Sequence, residues 1–184
     1  MRNKQKAIFI DRDGTINRYV GFLRDLDQLE LLPGVAKAIQ IINQSEYLVI
    51  VVTNQPVIAR GEVTYEKLQE IHNKMETLLA KEGAFLDAIY FCPHHPDKGF
   101  AGEVASLKVE CDCRKPKPGM ILQAAIDYNI DLKASWMVGD GENDIVAGKA
   151  ACCRTALVGT GEYAQDVTVS TLEEFVKKEI EGLK

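Results

Sequence analysis

Two aspartates one residue apart close a short apolar run, Ala7-Ile8-Phe9-Ile10-Asp11-Arg12-Asp13-Gly14-Thr15. Four apolar residues bounded by a glycine turn read as a buried parallel strand with the acids at its carboxyl end. Period-2 geometry sends both carboxylates to one side, about 6–7 Å apart along the chain. Such a pair repels itself unless a cation or a proton intervenes. One acid can then act as an anionic nucleophile while its neighbour holds a proton for a leaving group. Gly14 permits a sharp turn, and the Thr15 hydroxyl is expected to tie that turn down. An acidic strand end can also simply cap a helix, so the pair acquires chemical meaning from its partners.

Three further segments supply partners. The run Leu48-Val49-Ile50-Val51-Val52 ends in Thr53-Asn54-Gln55, a hydroxyl and two amides able to donate to phosphate oxygens. Arg114-Lys115-Pro116-Lys117-Pro118-Gly119 holds Lys115 and Lys117 extended before their prolines, outside the helix that follows. A fixed ammonium there would offset the carboxylate repulsion and stabilise phosphoryl oxygens. Trp136-Met137-Val138-Gly139-Asp140-Gly141-Glu142-Asn143-Asp144 brings Asp140 directly behind a strand. A third carboxylate at one edge suits Mg²⁺, which takes few carboxylates together with phosphate and water. Asp144 is placed to orient a water ligand or to cap the next helix.

Cys92-Pro93-His94-His95-Pro96 and Cys111-Asp112-Cys113 form two tight pairs of soft or borderline ligands. A Cys₃His set of Cys92, His94, Cys111 and Cys113 suits tetrahedral Zn²⁺ in a closed, structural site. His95 is the substitute if His94 faces away. Buried thiols are the alternative, but this segment is rich in Pro, Gly and Asp, where thiols gain little by packing. Cys152 and Cys153 read as packing residues near a helix end, and His72 as part of a solvated helix face.

The elements that must position these residues alternate between strand and helix. Strand-like runs fall at 7–10, 48–52, 88–91, 136–138 and 156–158, with a weaker one at 167–169. Helical periodicity covers 35–43, 65–82 and 118–129, the last opening on Pro118 at its first position. This alternation predicts a doubly wound parallel sheet covered on both faces, with ligands at the carboxyl ends of its strands. The segment 92–117 is the one long irregular stretch, and such loops are usually functional. The 184 residues suit a single domain over 1–184. A net charge of −5 argues against a nucleic-acid surface. The apolar run after the basic start is too short for a signal peptide, and no segment reaches the roughly 20 apolar residues of a membrane span. A cytoplasmic protein without membrane or nucleic-acid partners, and a monomer, is expected.

Taken in order, Asp11-x-Asp13-Gly14-Thr15, Thr53-Asn54, Lys115-Pro116-x-Pro118 and Gly139-Asp140-x-x-x-Asp144 resemble the four motifs of the haloacid dehalogenase superfamily, across almost the whole chain. The resemblance implies a Rossmann-like α/β fold and phosphatase chemistry. Asp11 would attack phosphorus and form an aspartyl-phosphate, with Asp13 as acid and then base. Thr53 and Lys115 would hold the phosphoryl group, and Asn54 would orient polar groups beside the substrate. Mg²⁺ would sit on Asp11, the Asp13 carbonyl and Asp140.

Within that superfamily the chain is similar to the D-glycero-D-manno-heptose 1,7-bisphosphate phosphatases, relatives of the histidinol-phosphate phosphatases. The similar stretches are residues 9–17, 58–61, 90–96 and 111–116. This resemblance implies a zinc loop over about 92–113 and a short flap, Tyr19-Val20-Gly21-Phe22, in place of a large cap domain. Arg114 would select the substrate, a small phosphorylated sugar whose 7-phosphate is removed on the way to heptose nucleotides for surface polysaccharide. Pro56-Val57 and Gly141 depart from the family, which often has small flexible residues and a lysine there. Histidinol phosphate is the alternative substrate. A zinc-stabilised binding module without catalysis is the alternative of another class, disfavoured because all four motifs are present.

Overall fold

The structure is a computed structural model that describes residues 4–181. Residues 1–3, the first part of the basic start, and 182–184 lie outside the described residues. The described residues form a parallel sheet of β1 (Lys6–Ile10), β2 (Tyr47–Asn54), β3 (Ala88–Cys92), β4 (Trp136–Gly139), β5 (Arg154–Val158) and β6 (Val167–Val169). Its order is β3-β2-β1-β4-β5-β6. The helices are α1 (Val35–Asn43), α2 (Tyr65–Lys81), α3 (Gly119–Asp127), α4 (Glu142–Ala150) and α5 (Leu172–Glu179). The chain winds outward from β1 through β2 to β3, then crosses to β4 on the other side of β1. That reversal opens a crevice at the carboxyl ends of β1 and β4, where doubly wound sheets bind ligands.

Alternation along the strands fills two cores. Ile8, Ile10, Val49, Val51, Trp136 and Val138 face α1, α2 and α5. Ala7, Phe9, Ile50, Val52 and Met137 face α3 and α4. Each fully buried isoleucine contributes roughly 1.5–3 kcal/mol by leaving water, so β1 is held from both faces and the point where Asp11 emerges is fixed. Trp136 meets Phe175 of α5 edge-on, with ring centroids 5.1 Å apart.

Four local expectations are corrected. Helix α3 starts at Gly119, with Pro118 at the cap position, and it ends at Asp127. Helix α5 was not expected, although Thr171 caps it by accepting from the Glu174 amide at 3.1 Å ahead of Leu172, Phe175 and Val176. His72 is buried rather than solvated, because four residues beyond Leu68 and three before Met75 put it on the apolar stripe of α2. Cys152 is exposed, at a left-handed φ of 65° that turns its thiol outward, whereas Cys153 does pack. No helix among the described residues is long and apolar enough to cross a membrane.

Candidate active site

Strand β1 stops at Ile10, and the Asp11 amide donates to the Val138 carbonyl of β4 at 2.9 Å. This places the Asp11 carboxylate at the crevice, in a cleft of about 260 Å³ that Asp13, Thr53, Arg114, Lys115 and Asp140 also line. Lys115 Nζ donates to Asp11 Oδ1 at 2.7 Å, Asp144 Oδ1 at 2.6 Å and the Val52 carbonyl at 2.7 Å. An ammonium has three donors, and all three are used. Asn54 fixes the lysine's backbone as well, accepting from its N–H and donating to its carbonyl, both at 3.0 Å. One amide hydrogen and the carbonyl of Asn54 are therefore engaged with Lys115, which makes it an orienting group.

Burial is the largest influence on these charges. It pushes the Asp11 carboxyl up to about 7, with Lys115 opposing and Asp144 adding to the rise. It also lifts Asp140 to about 6, aided by Asp144. Burial would lower Lys115, but Asp11 and Asp144 outweigh it and hold the ammonium above its ordinary value. Lys115 is a permanent cation here. Lys117, by contrast, stays at the surface near Asp112 and Glu110.

Asp13 departs from the simple alternation. The chain turns after Ile10, with the Ile16 and Asn17 amides donating to the Arg12 carbonyl. Arg12 is fully buried, and its guanidinium grips the Asp13 carboxylate at 2.7–3.2 Å. Gln55 and Asn17 each donate to the same carboxylate at 3.0 Å. Burial raises the Asp13 carboxyl, but Arg12 and these hydrogen bonds outweigh it and hold it below its usual range. Behind Arg12 lies His72 at 3.3 Å, which burial and then the nearby guanidinium bring down to about 4, so it is neutral. Arg12 and His72 were not foreseen as parts of the site. The Thr15 hydroxyl is buried without a partner, so the turn is tied by its backbone bonds and by Asn17 on Asp13 rather than by that hydroxyl.

One oxygen each from Asp11, Asp140 and Asp144 lies within 4.8 Å of the others, a hard-donor set that fits Mg²⁺. A Cβ on Gly14 would collide with the Asp140 carboxylate, and one on Gly139 with Asp144. Glycine at both positions lets the acids crowd together. Relative to the expected set of Asp11, the Asp13 carbonyl and Asp140, Asp144 is an additional neighbour, and it also accepts from the Gly141 amide at 3.1 Å as the helix cap.

Cys92, His94, Cys111 and Cys113 come together with their ligand atoms within 4.8 Å of one another. The sulfur–sulfur separations are 3.1–3.5 Å, and His94 Nδ1 is 3.7 Å from Cys92 Sγ and 3.3 Å from Cys113 Sγ. Tetrahedral zinc–thiolate bonds of about 2.3 Å imply sulfurs about 3.8 Å apart, so the cluster fits zinc after a small expansion. His95 stays outside it, turned against Phe100 and Asp97.

Tyr19, Gly21 and Phe22 line the cleft, as do Pro56, Val57 and Gly141. Val20 turns away and packs on the larger core. Arg114 borders the cleft and donates from Nη1 to the His94 carbonyl at 3.3 Å, so the Cys/His loop positions it directly.

A carboxylate beside a fixed ammonium, set at the switch point of a doubly wound sheet, matches a phosphoryl-transfer enzyme of haloacid dehalogenase type. A HAD-hydrolase-like family model matches residues 112–178. A D-glycero-β-D-manno-heptose-1,7-bisphosphate 7-phosphatase of Pasteurella multocida is 45% identical over 159 residues, 86% of this chain and 84% of its own. The enzyme of that name from Yersinia pestis is 42% identical over 96% of both chains. The crystal structure of a D,D-heptose 1,7-bisphosphate phosphatase from B. bronchiseptica, complexed with magnesium and phosphate, superposes with a TM-score of 0.84. It is 33% identical and covers 97% of this chain and 99% of its own. The chain belongs to the haloacid dehalogenase superfamily, in the family of the D-glycero-D-manno-heptose 1,7-bisphosphate phosphatases.

Proposed function

We propose that this protein removes the 7-phosphate of a D-glycero-D-manno-heptose 1,7-bisphosphate, as its relatives are named for doing. The observation that carries the reading is the Asp11 carboxylate held 2.7 Å from a buried, fully coordinated Lys115 at the cleft. Asp11 attacks phosphorus, the bond from phosphorus to the sugar oxygen breaks, and the proton for that oxygen comes from Asp13. Water then attacks the aspartyl-phosphate, Asp13 takes its proton, and inorganic phosphate leaves. Thr53 and Lys115 hold phosphoryl oxygens through both steps, Lys115 by turning one of its three donors from a carboxylate to the phosphoryl group. Asp11, the Asp13 carbonyl and Asp140 would hold Mg²⁺, which supplies positive charge against the phosphoryl oxygens. To protonate the leaving oxygen, Asp13 has to give up Arg12, because a carboxylate gripped by a guanidinium holds no proton.

Asp13→Asn is expected to lower kcat on the order of 10²–10⁴-fold for a sugar phosphate, and less for p-nitrophenyl phosphate, whose leaving group needs little protonation. Equal losses on the two esters would contradict the acid role. Substrate choice is tested by phosphate release from both anomers of the heptose bisphosphate and from histidinol phosphate with a single preparation. Arg114 at the cleft favours an anionic or hydroxyl-rich substrate over the cationic one. Faster turnover of histidinol phosphate than of either heptose anomer would overturn the assignment.

A further inference from the structure

Arg60 has no place in the chemistry above, yet it joins one wall of the cleft to the Cys/His loop. It lies on the turn between β2 and α2, with its guanidinium carbon 4.2 Å from the Phe22 ring centroid and 4.4 Å from that of Phe100. Phe22 belongs to the segment that walls the cleft, and Phe100 to the loop that carries the Cys/His cluster. Its Nε is buried without a hydrogen-bond partner. Two ring faces hold this cation, an arrangement suited to a planar guanidinium and poorly matched by other side chains.

Both neighbours are docked on the same turn by independent contacts. On the Phe22 side, Arg24 Nε meets Glu62 Oε2 at 2.6 Å. On the Phe100 side, the Val104 amide donates to the Ala59 carbonyl at 3.0 Å, and the Ala59 amide to Pro93 at 3.2 Å. Gly61 lets the loop approach, since a Cβ there would collide with the Gly102 carbonyl. Phe22 also shares a small apolar cluster with Val57, Ile58 and Val63 of the turn.

We propose that Arg60 is a positioning residue that ties the 19–22 wall to the Cys/His loop, so that order in the loop sets the shape of the sugar-facing wall. The kinetic consequence rests on the sugar-phosphatase reading, whereas the mechanical coupling does not. Loosening at Phe100 should therefore travel to Phe22 through Arg60 and stop when Arg60 is replaced.

Hydrogen exchange on the full chain tests the coupling, using Phe100→Leu, Arg60→Gln and the double variant. Phe100→Leu is expected to speed exchange of residues 19–24 about 5- to 30-fold, the size of a lost contact of this kind. The same change made in Arg60→Gln protein should add nothing, and Arg60→Lys should recover only part of the protection. In steady-state assays Arg60→Gln should raise KM for the heptose bisphosphate more than KM for p-nitrophenyl phosphate, which has no sugar to meet the wall. Unchanged exchange at 19–24 in Phe100→Leu protein overturns the proposal, as does an equal acceleration with and without Arg60. Should the wild type fail to turn over heptose bisphosphate, the functional reading falls while the exchange result still decides the role of Arg60.

Discussion

Asp11→Asn protein is expected to lose turnover by at least about 10⁴-fold, the scale of removing a nucleophile from a working site. An amide oxygen is too weak a nucleophile to form the aspartyl-phosphate. The loss should come without unfolding. Asp11, Asp140 and Asp144 crowd one ammonium, and Lys115 keeps Asp144 and the Val52 carbonyl when Asp11 is neutralised. The asparagine oxygen can still accept from Nζ. Burial and the Asp144 charge outweigh Lys115 in pushing Asp11 up to about 7, so these surroundings favour an uncharged group at this position. The variant's melting temperature in Mg²⁺-free buffer should therefore equal or exceed that of the wild type. Activity near the wild-type level would sink the covalent mechanism, and a fall of many degrees would sink the electrostatic account. Catalytic carboxylates placed at a cost in stability are a recurring trade.

The parts of this site that the sequence makes legible are those that local pattern places. Asp11, Thr53 and Asp140 each follow an apolar strand run, so the period of the strand and its carboxyl end locate them without tertiary knowledge. Lys115 is marked by the prolines around it. Arg12 is different. A lone charge between two acids reads as solvated, and its burial depends on Gln55 just past β2 and His72 from α2, neither of which local spacing can bring near. Asp13 follows from Arg12: once the guanidinium turns inward, the carboxylate follows it rather than the alternation of β1. His72 was within reach, since its period matches Leu68 and Met75, but its neighbours Gln69, Glu70 and Asn73 speak for solvent. Polar neighbours along the chain say little about a helix face. Arg60 shows the same limit, because its two ring partners lie 38 and 40 residues away in opposite directions along the chain.

Cys111→Ser protein is expected to bind less than one zinc per chain by elemental analysis, and to be cut by protease within residues 96–113. Sixteen residues separate His94 from Cys111, and closing a loop of that length costs about 2–3 kcal/mol or more in entropy. Structural zinc supplies about 10–16 kcal/mol in small Cys/His sites, so zinc bound here would decide whether this loop stays closed. Burial pushes the Cys92 thiol up, so without metal that sulfur stays protonated and makes only weak contacts with its neighbours. The kinetic effect should divide unevenly between the two residues that follow Cys113. Arg114 is held by the His94 carbonyl, inside the Cys/His loop, and should be freed when the loop opens. Lys115 is held from the sheet by Asn54, Val52 and Asp11, and from α4 by Asp144, none of which needs zinc. With Mg²⁺ supplied in excess, KM for the sugar bisphosphate should therefore rise by a larger factor than kcat falls. Asp11→Asn, whose substitution lies outside the cluster, should retain its zinc. If wild-type protein purifies without zinc and Cys111→Ser resists protease as well as the wild type does, the Cys/His cluster is not a structural metal site, and the positioning of Arg114 must come from elsewhere.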